Sequence, residues 1–524
     1  MSNKRLLFYN DARHSHIYCY DPPMTLEQAT APIHDVSGTG VDTFVYGFGV
    51  GPTMFHNTEV GEIWGTRLVK AGIGFPQHEP SNLESLSAWR AYENLRGLRE
   101  QGLDILTLLV QSAHDKGLDF FGSLRMSHPA DPANVSTAHT SQFKIDHPEW
   151  CIKGPGRHAF NWRHPEVGAE RLVLIEEAVS RYDLDGFEID WCFYPSYFEQ
   201  GEARGKAPIL TNFMRQVRGV VESAAERRKR PIALGARVLP TLEGNLDAGL
   251  DVPAWTSEGL LDFLVPAIYG DRHMDMDLPF EWLLGLTQNS GCEVYPALQD
   301  RVRSVNTSGL WQQNRQVKEH TASVEHYRAG AASYWSKGAD AIYLPWFNWP
   351  VGADECLALS EIHDPDLLRA KPKHYLTSVI CGEEGQSHSA QLPATLVMGQ
   401  DAPGQRVRLF VADGDKKANA RLRIKLTGSV GHDVITISLN GNSLPDETQK
   451  RTDHGGGGDI YAWLEYPLAP GALRKGANEV AVALNSRPAN LSAKVLLECV
   501  ELLIAYPGPA ANTPSDRHSM ASRG

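Results

Sequence analysis

YDLDGFEIDWCFYP, Tyr182 to Pro195, is the stretch on which the reading of this chain turns. An Asp-Gly pair leads into a short apolar run that carries two acids, Glu188 and Asp190, two residues apart. Side chains two apart on a strand leave by the same face, so the acids share one side while Phe187, Ile189 and Trp191 take the other. Acids pointing into a sheet interior are costly without partners, which makes this strand a candidate for chemistry as well as for structure. The bland alternative is an ion pair with Arg125 or Arg237.

Outward from this strand the chain repeats one rhythm, a short apolar run followed by a helical pattern, as in βα units. The runs are Arg5 to Tyr9, Thr43 to Phe48, Asp119 to Arg125, Gly186 to Trp191, Ile232 to Val238, Phe263 to Tyr269, Glu293 to Leu298 and Ala341 to Trp346. Helical spacing covers Ser85 to Gln101, Leu103 to Lys116, Pro165 to Tyr182, Ile209 to Arg227, Phe280 to Gln288 and Val317 to Gly338. Strands and crossover helices in this number predict an α/β fold, a (β/α)8 TIM barrel, with an open doubly wound sheet as the rival. From about Tyr375 helical periodicity stops and alternating runs begin: Val407 to Val411, Ala420 to Leu426, Val434 to Leu439, Glu479 to Leu484 and Val495 to Ile504. Turn residues such as Asn440-Gly441-Asn442 separate them, which predicts a C-terminal antiparallel β-sandwich. The expected domains are 1–370 and 371–508, with a disordered tail over 509–524.

Composition narrows the function classes. A formal charge of -13 over 524 residues argues against a nucleic-acid partner, which needs a basic field. No stretch nears the ~18 apolar residues of a membrane span, and Met1 to Tyr9 does not resemble a secretory leader, so the expectation is a cytoplasmic protein. The cysteines, 7 in all and without a CxxC pair, read as reduced thiols. Walker, GxSxG, HExxH and GxGxxG patterns are absent, so neither a cofactor nor a dedicated metal site is expected. A homo-oligomer is compatible with everything above.

In a barrel the chemistry lies at the C-terminal ends of the strands. Besides Glu188 and Asp190, the sixth strand ends in Tyr269 and Asp271 and the seventh in Asp300. Glycosidic cleavage needs one carboxyl to protonate the leaving oxygen and another to attack or to activate water, so Asp190 with Asp271 or Asp300 supplies a candidate pair. Arg125 and Arg237 end the third and fifth strands and can clamp an acidic sugar or pair with the acids. His128 follows Arg125 as a polar contact. Trp191, Trp346 and Trp349 offer indole faces for the apolar C-H side of a sugar, with core packing as the alternative for each.

The run NWRHPEV at 161–167, followed by a helix and then YDLDGFEIDWCFYP, is similar to the glycosyl hydrolase-like family 10 domain. By that resemblance Asp190 matches the family's strand-end aspartate. The strand also resembles the family-18 chitinase signature, with Asp185, Glu188 and Asp190 at acidic positions but Cys192 where the proton-donating glutamate would stand. Alpha-amylase-like barrels place a nucleophilic aspartate where Asp190 falls, with an Arg in place of Glu188.

The expectation is therefore a glycoside hydrolase acting on a carbohydrate, with catalytic candidates Asp190, Glu188, Asp271 and Asp300. Arg125, His128, Trp191, Arg237, Tyr269, Trp346 and Trp349 are the substrate-binding candidates. A non-catalytic carbohydrate-binding protein and a lyase on acidic sugars are the alternatives. The enzyme reading requires Asp190 to be open to solvent and within about 12 Å of another carboxylate.

Overall fold

The computed structural model describes residues 5–76, 84–154, 158–268, 273–306, 316–347, 350–377, 391–399, 404–414, 418–456 and 459–506. They fall into two compact units, the first taking most of the chain up to Leu367 and the second most of it from Leu368 on. Expectations for Tyr269, Asp271, Trp349 and the tail 509–524 lie outside the described residues.

The apolar runs of the first unit form parallel strands: β1 Arg5–Asn10, β2 Thr43–Val50, β3 Asp119–Arg125, β4 Gly186–Asp190, β5 Ala233–Val238, β6 Phe263–Pro266, β7 Glu293–Val294 and β8 Ala341–Leu344. Their order in the sheet is β8-β1-β2-β3-β4-β5-β6-β7, and each neighbouring pair is parallel. β2, β4, β6 and β8 are buried at every position, as strands covered on both faces must be. Just beyond β7, Ala297 makes a parallel bridge to Tyr343 of β8, and Leu298 N donates to Tyr343 O at 2.8 Å.

Glycine in the Asp-Gly lead-in of β4 has a packing cause. A Cβ on Gly186 would stand 2.7 Å from the Phe121 ring of β3, so only glycine lets that ring lie against the strand. Asp185 before it pins the strand's start: its Oδ2 accepts from His114 Nε2 and from Phe120 N, each at 2.8 Å. This acid, the first in the chitinase-like signature, serves the N-terminal end of the strand, away from the end where Asp190 stands.

One expected helix is shorter than its spacing predicts, and one helix has no counterpart among the expected segments. The helix expected over Val317 to Gly338 begins only at Val324 and runs to Lys337, because Gln316–Thr321 is a strand beside Arg301–Asn306. Ser323 N donates to His326 Nδ1 at 3.1 Å, closing the helix start there. Leu26–Val36, which periodicity passes over because Pro32 interrupts it, is a helix started by a reciprocal Thr25 and Gln28 cap.

The second unit holds two antiparallel sheets. Its strands are β9 Lys373–Thr377, β10 Ala394–Leu396, β11 Gln405–Val411, β12 Asn419–Thr427, β13 Val434–Leu439, β14 Asn442–Ser443, β15 Lys450–Gly456, β16 Asp459–Leu468, β17 Gly476–Ser486 and β18 Val495–Ala505. One sheet is ordered β9-β18-β12-β16-β15 with β10 also on β18, and the other β11-β17-β13-β14. Burial alternates along β11, β13 and β17, the pattern of strands with one covered face. Asn440 and Gly441, with φ of 54° and 84°, form the two-residue turn between β13 and β14 that the Asn-Gly-Asn run predicts.

No helix among the described residues is long and apolar enough to cross a membrane. Cys19, Cys151, Cys192, Cys292, Cys356 and Cys499 are free thiols.

Candidate active site

The register of the parallel sheet brings the sequence candidates together. Arg125 at the end of β3 is the register partner of Asp190 on β4, which in turn partners Arg237 on β5. Strand pleating then sends Ser123, Arg125, Glu188, Asp190 and Arg237 toward one another.

The Arg237 guanidinium is the hub. Its Nη2 donates to Glu188 Oε1 at 2.7 Å and to Tyr343 Oη at 2.5 Å, and its Nη1 lies 3.4 Å from Asp190 Oδ2. Ser123 Oγ donates to the same Glu188 oxygen at 2.7 Å. Arg125 stands on the other side, its Nε 3.9 Å from Asp190 Oδ2 and its Nη2 donating to Tyr9 Oη at 3.2 Å. The Arg237 guanidinium also sits 4.4 Å from the Tyr9 ring centre, and that of Arg125 3.9 Å from Phe193. Asp190 Oδ1 accepts from the backbone N of Cys192 and of Phe193, each at 3.0 Å, which turns the chain at the strand end.

Burial pushes the Glu188 carboxyl above its ordinary range; the Arg237 charge draws it down, and the Asp190 charge raises it further. Burial works against the charge on Arg237, but Asp190 and Glu188 outweigh it and hold the guanidinium well above its usual value. Burial likewise pushes Tyr9 up and Tyr343 well up, keeping both phenols as potential donors. Several polar atoms of the cluster make no hydrogen bond within the protein: Glu188 Oε2, Asp190 Oδ2, Arg125 Nε and Arg237 Nε. Glu188 and Asp190 are each 0% exposed. The requirement of a neighbouring carboxylate is met, since one guanidinium touches both acids; the requirement of an open path to Asp190 is not.

Other candidates are distributed more widely. Trp346, half-buried past the end of β8, meets the Tyr9 ring edge-on at 6.3 Å and the Arg125 guanidinium at 5.9 Å, so it belongs to the cluster. Trp191 is a correction: at 0% exposure it packs on Trp162, Tyr197, Phe213 and Trp255, and it has no face to offer a sugar. The odd-numbered parity of β4 sends it away from the acids. Asp300 is fully buried, with Oδ2 3.6 Å from Arg301 Nε. His128 stacks on His139 at 4.9 Å, and burial, His139, Lys144, Arg13 and Arg125 together hold it well below its ordinary value. Tyr9, Ser123 and Tyr343 escape sequence reasoning because each sits inside an apolar run and reads as core. The signal that could have found Tyr9 and Ser123 is position, since Tyr9 is the last residue of its apolar run, one before the end of β1, and Ser123 precedes Arg125 by two.

No group of three or more His, Cys, Asp or Glu among the described residues is placed to hold a metal ion.

Residues 80–209, which include β3, β4 and the acids, match the family described as Glycosyl hydrolase-like 10. Glycosyl hydrolase DigH of Escherichia coli (strain K12) is 24% identical over 210 residues, covering 32% of this chain and 46% of that protein. Glycosyl hydrolase YngK of Bacillus subtilis (strain 168) is 21% identical over 237 residues, covering 38% and 45%. The chain thus spans about half the length of these curated relatives. Among solved structures, an Anoxybacillus alpha-amylase overlays with a TM-score of 0.39 at 10% identity, covering 93% of this chain and 99% of that one. The resemblance that NWRHPEV and YDLDGFEIDWCFYP announce is borne out by the match of residues 80–209 to the Glycosyl hydrolase-like 10 family.

Proposed function

We propose that the chain is a glycoside hydrolase whose site lies at the C-terminal ends of β3, β4 and β5, in a parallel sheet that closes as a (β/α)8 barrel, and that this site, closed over Asp190 in the arrangement described, meets the solvent requirement only once the Phe193-Tyr194 corner moves. Closure is supported by the bridge from Ala297 to Tyr343, which links the two ends of the strand order. The C-terminal antiparallel sheets are read as an accessory β-sandwich.

One observation carries the functional reading: Asp190 and Glu188 share the Arg237 guanidinium at 3.4 and 2.7 Å while differing in surroundings, Glu188 being pushed toward its neutral form. Paired carboxyls in unlike environments take unlike roles, and here only one of them is free to act on the anomeric carbon. Asp190 is the nucleophile or base, Glu188 a hydroxyl contact, and Arg125, Tyr9 and Trp346 orient the sugar. The orphaned atoms of Glu188, Asp190, Arg125 and Arg237 are groups that sugar hydroxyls satisfy. Reaching Asp190 requires the Phe193-Tyr194 corner to part from Arg125, and Tyr194 is held at a φ of 52°, a conformation that costs a non-glycine residue energy.

A non-catalytic carbohydrate-binding protein is the second reading, favoured by the complete burial of both acids. The two separate in one assay, glycan and aryl-glycoside hydrolysis by the purified chain and by Asp190→Asn. The hydrolase reading expects a loss on the order of 10²–10⁴-fold in the variant. Equal turnover removes Asp190 from the chemistry, and no turnover by the wild type across the panel leaves binding as the function.

A further inference from the structure

We infer that His14, held by the buried Asp11 just past the end of β1, is the proton-transfer residue of this site, its Nε2 giving a proton to the departing glycosidic oxygen. The inference rests on the hydrolase reading above and adds the proton carrier that reading lacks.

Asp11 is 2% exposed and spends both oxygens on one residue: Oδ1 accepts from the His14 backbone N at 2.9 Å, and Oδ2 takes His14 Nδ1 at 2.5 Å. A turn-forming aspartate needs only the first of these bonds. The second fixes the ring: a carboxylate only accepts, so Nδ1 is the donor and Nε2 is the nitrogen that Asp11 does not occupy. The His14 side chain is 61% exposed whereas that of Asp11 is 0%, so solvent reaches the imidazole as it does not reach Asp190.

The loop is built to hold this pair. Ala12 sits at a φ of 64°, an uncommon conformation for a residue with a Cβ, and Asn10 Oδ1 secures it by accepting from Ala12 N at 2.9 Å. Arg13 N donates to Asp11 O at 2.8 Å, tightening the same turn. The groups facing His14 are Asp11, the Tyr18 ring at 5.5 Å and Cys19, whose Sγ donates to His14 O at 3.1 Å. Burial raises the Asp11 carboxyl, but the bond and charge of His14, with Arg13 and Arg125, overcome this and hold it well below the usual range. Arg125 is thus shared: it acts on Asp11, lies 3.9 Å from Asp190 and donates to Tyr9, two residues before Asp11.

In the step so assigned, the bond from the anomeric carbon to the leaving oxygen breaks with its electron pair going to that oxygen. His14, carrying a proton on each ring nitrogen, gives the one on Nε2 to that oxygen and is left neutral; water then adds to the anomeric carbon, its proton passing to Asp190 where that residue is the base, or back to His14 Nε2 where Asp190 is the nucleophile that the water displaces.

The test compares an unactivated oligosaccharide with the 2,4-dinitrophenyl glycoside of the same sugar, whose leaving group departs without a proton. His14→Gln should lose about 10²–10⁴-fold on the oligosaccharide and under about tenfold on the dinitrophenyl glycoside. Asp11→Asn should follow the same pattern more weakly, with a thermal melt to check that it folds. His34→Gln, on an exposed histidine in the last turn of the Leu26–Val36 helix, should match the wild type. Wild-type turnover with His14→Gln unchanged, or slowed equally on both substrates, overturns the assignment alone. Wild-type silence on both overturns the hydrolase reading and the assignment with it.

Discussion

Arg237 reaches Glu188 with a hydrogen bond of 2.7 Å that is buried at both ends, and the same guanidinium faces Asp190 at 3.4 Å. One cation thus serves two acids on the same face of β4. The β4 to β5 register, in which Asp190 lies opposite Arg237, makes this a consequence of strand pairing rather than of loop placement. A site fixed by strands holds its groups more closely than one built on loops.

Arg237→Met tests that hub. Removing the cation leaves two carboxyls buried without it, and breaking a buried pair costs about 3–5 kcal/mol. Because Glu188 already tends toward its neutral form, uptake of a proton there should soften the cost at acidic pH. Urea unfolding at two pH values measures both effects, and Glu188→Gln in the Arg237→Met background should restore part of the loss. A single variant as stable as the wild type at neutral pH would show that the pair is not holding the sheet.

The tryptophans provide a contrast. Trp191→Ala removes a side chain packed among Trp162, Tyr197, Phe213 and Trp255, and should cost about 3–5 kcal/mol. Trp346→Ala, at a half-buried position against Tyr9 and Arg125, should change the melt little while weakening oligosaccharide affinity by about tenfold or less. Thermal melts alongside affinity electrophoresis check the pair; loss of affinity in Trp191→Ala with an unchanged melt would reverse the two roles.

The sequence carries the strands well because each is a short apolar run between helical patterns, and it carries the acids and arginines because charge at a strand end stands out. What it hides follows from the same logic. Tyr9 and Tyr343 sit in apolar runs, so their hydroxyls, which Arg125 and Arg237 bond, have no local signature. Trp191 shows the converse, an indole whose parity already points it off the acid face and whose neighbours come from helices far along the chain. Helical spacing continues through the seven residues from Val317 to Ser323, yet the first five of them, to Thr321, belong to a strand beside Arg301–Asn306. Pairing across that distance leaves no trace in local periodicity. The link between Asp11 and His14 could be guessed from their spacing, but its burial and the turn at Ala12 could not.

Glu177 sets a pH dependence of stability that is separate from the chemistry. Burial raises its carboxyl, but His56, the Glu59 backbone N, Thr58 and Arg181 outweigh this and bring it down to about 2 from an ordinary 4.5. The folded value lies below the unfolded one, so the unfolded chain binds the extra proton between them, and stability is present above 4.5 and lost as the pH falls from 4.5 toward 2. Thr58 Oγ1 and Arg181 Nη1 each donate to it at 2.6 Å, tying the loop after β2 to the helix Pro165–Arg181. Glu177→Gln should therefore flatten the acid side of the stability profile and lower stability at neutral pH, where the wild-type carboxylate accepts those bonds in charged form. Thermal melts from pH 3 to pH 7 on both proteins measure it, and parallel profiles for the two would mean that the carboxylate does not link the loop to the helix in the way its bonds imply.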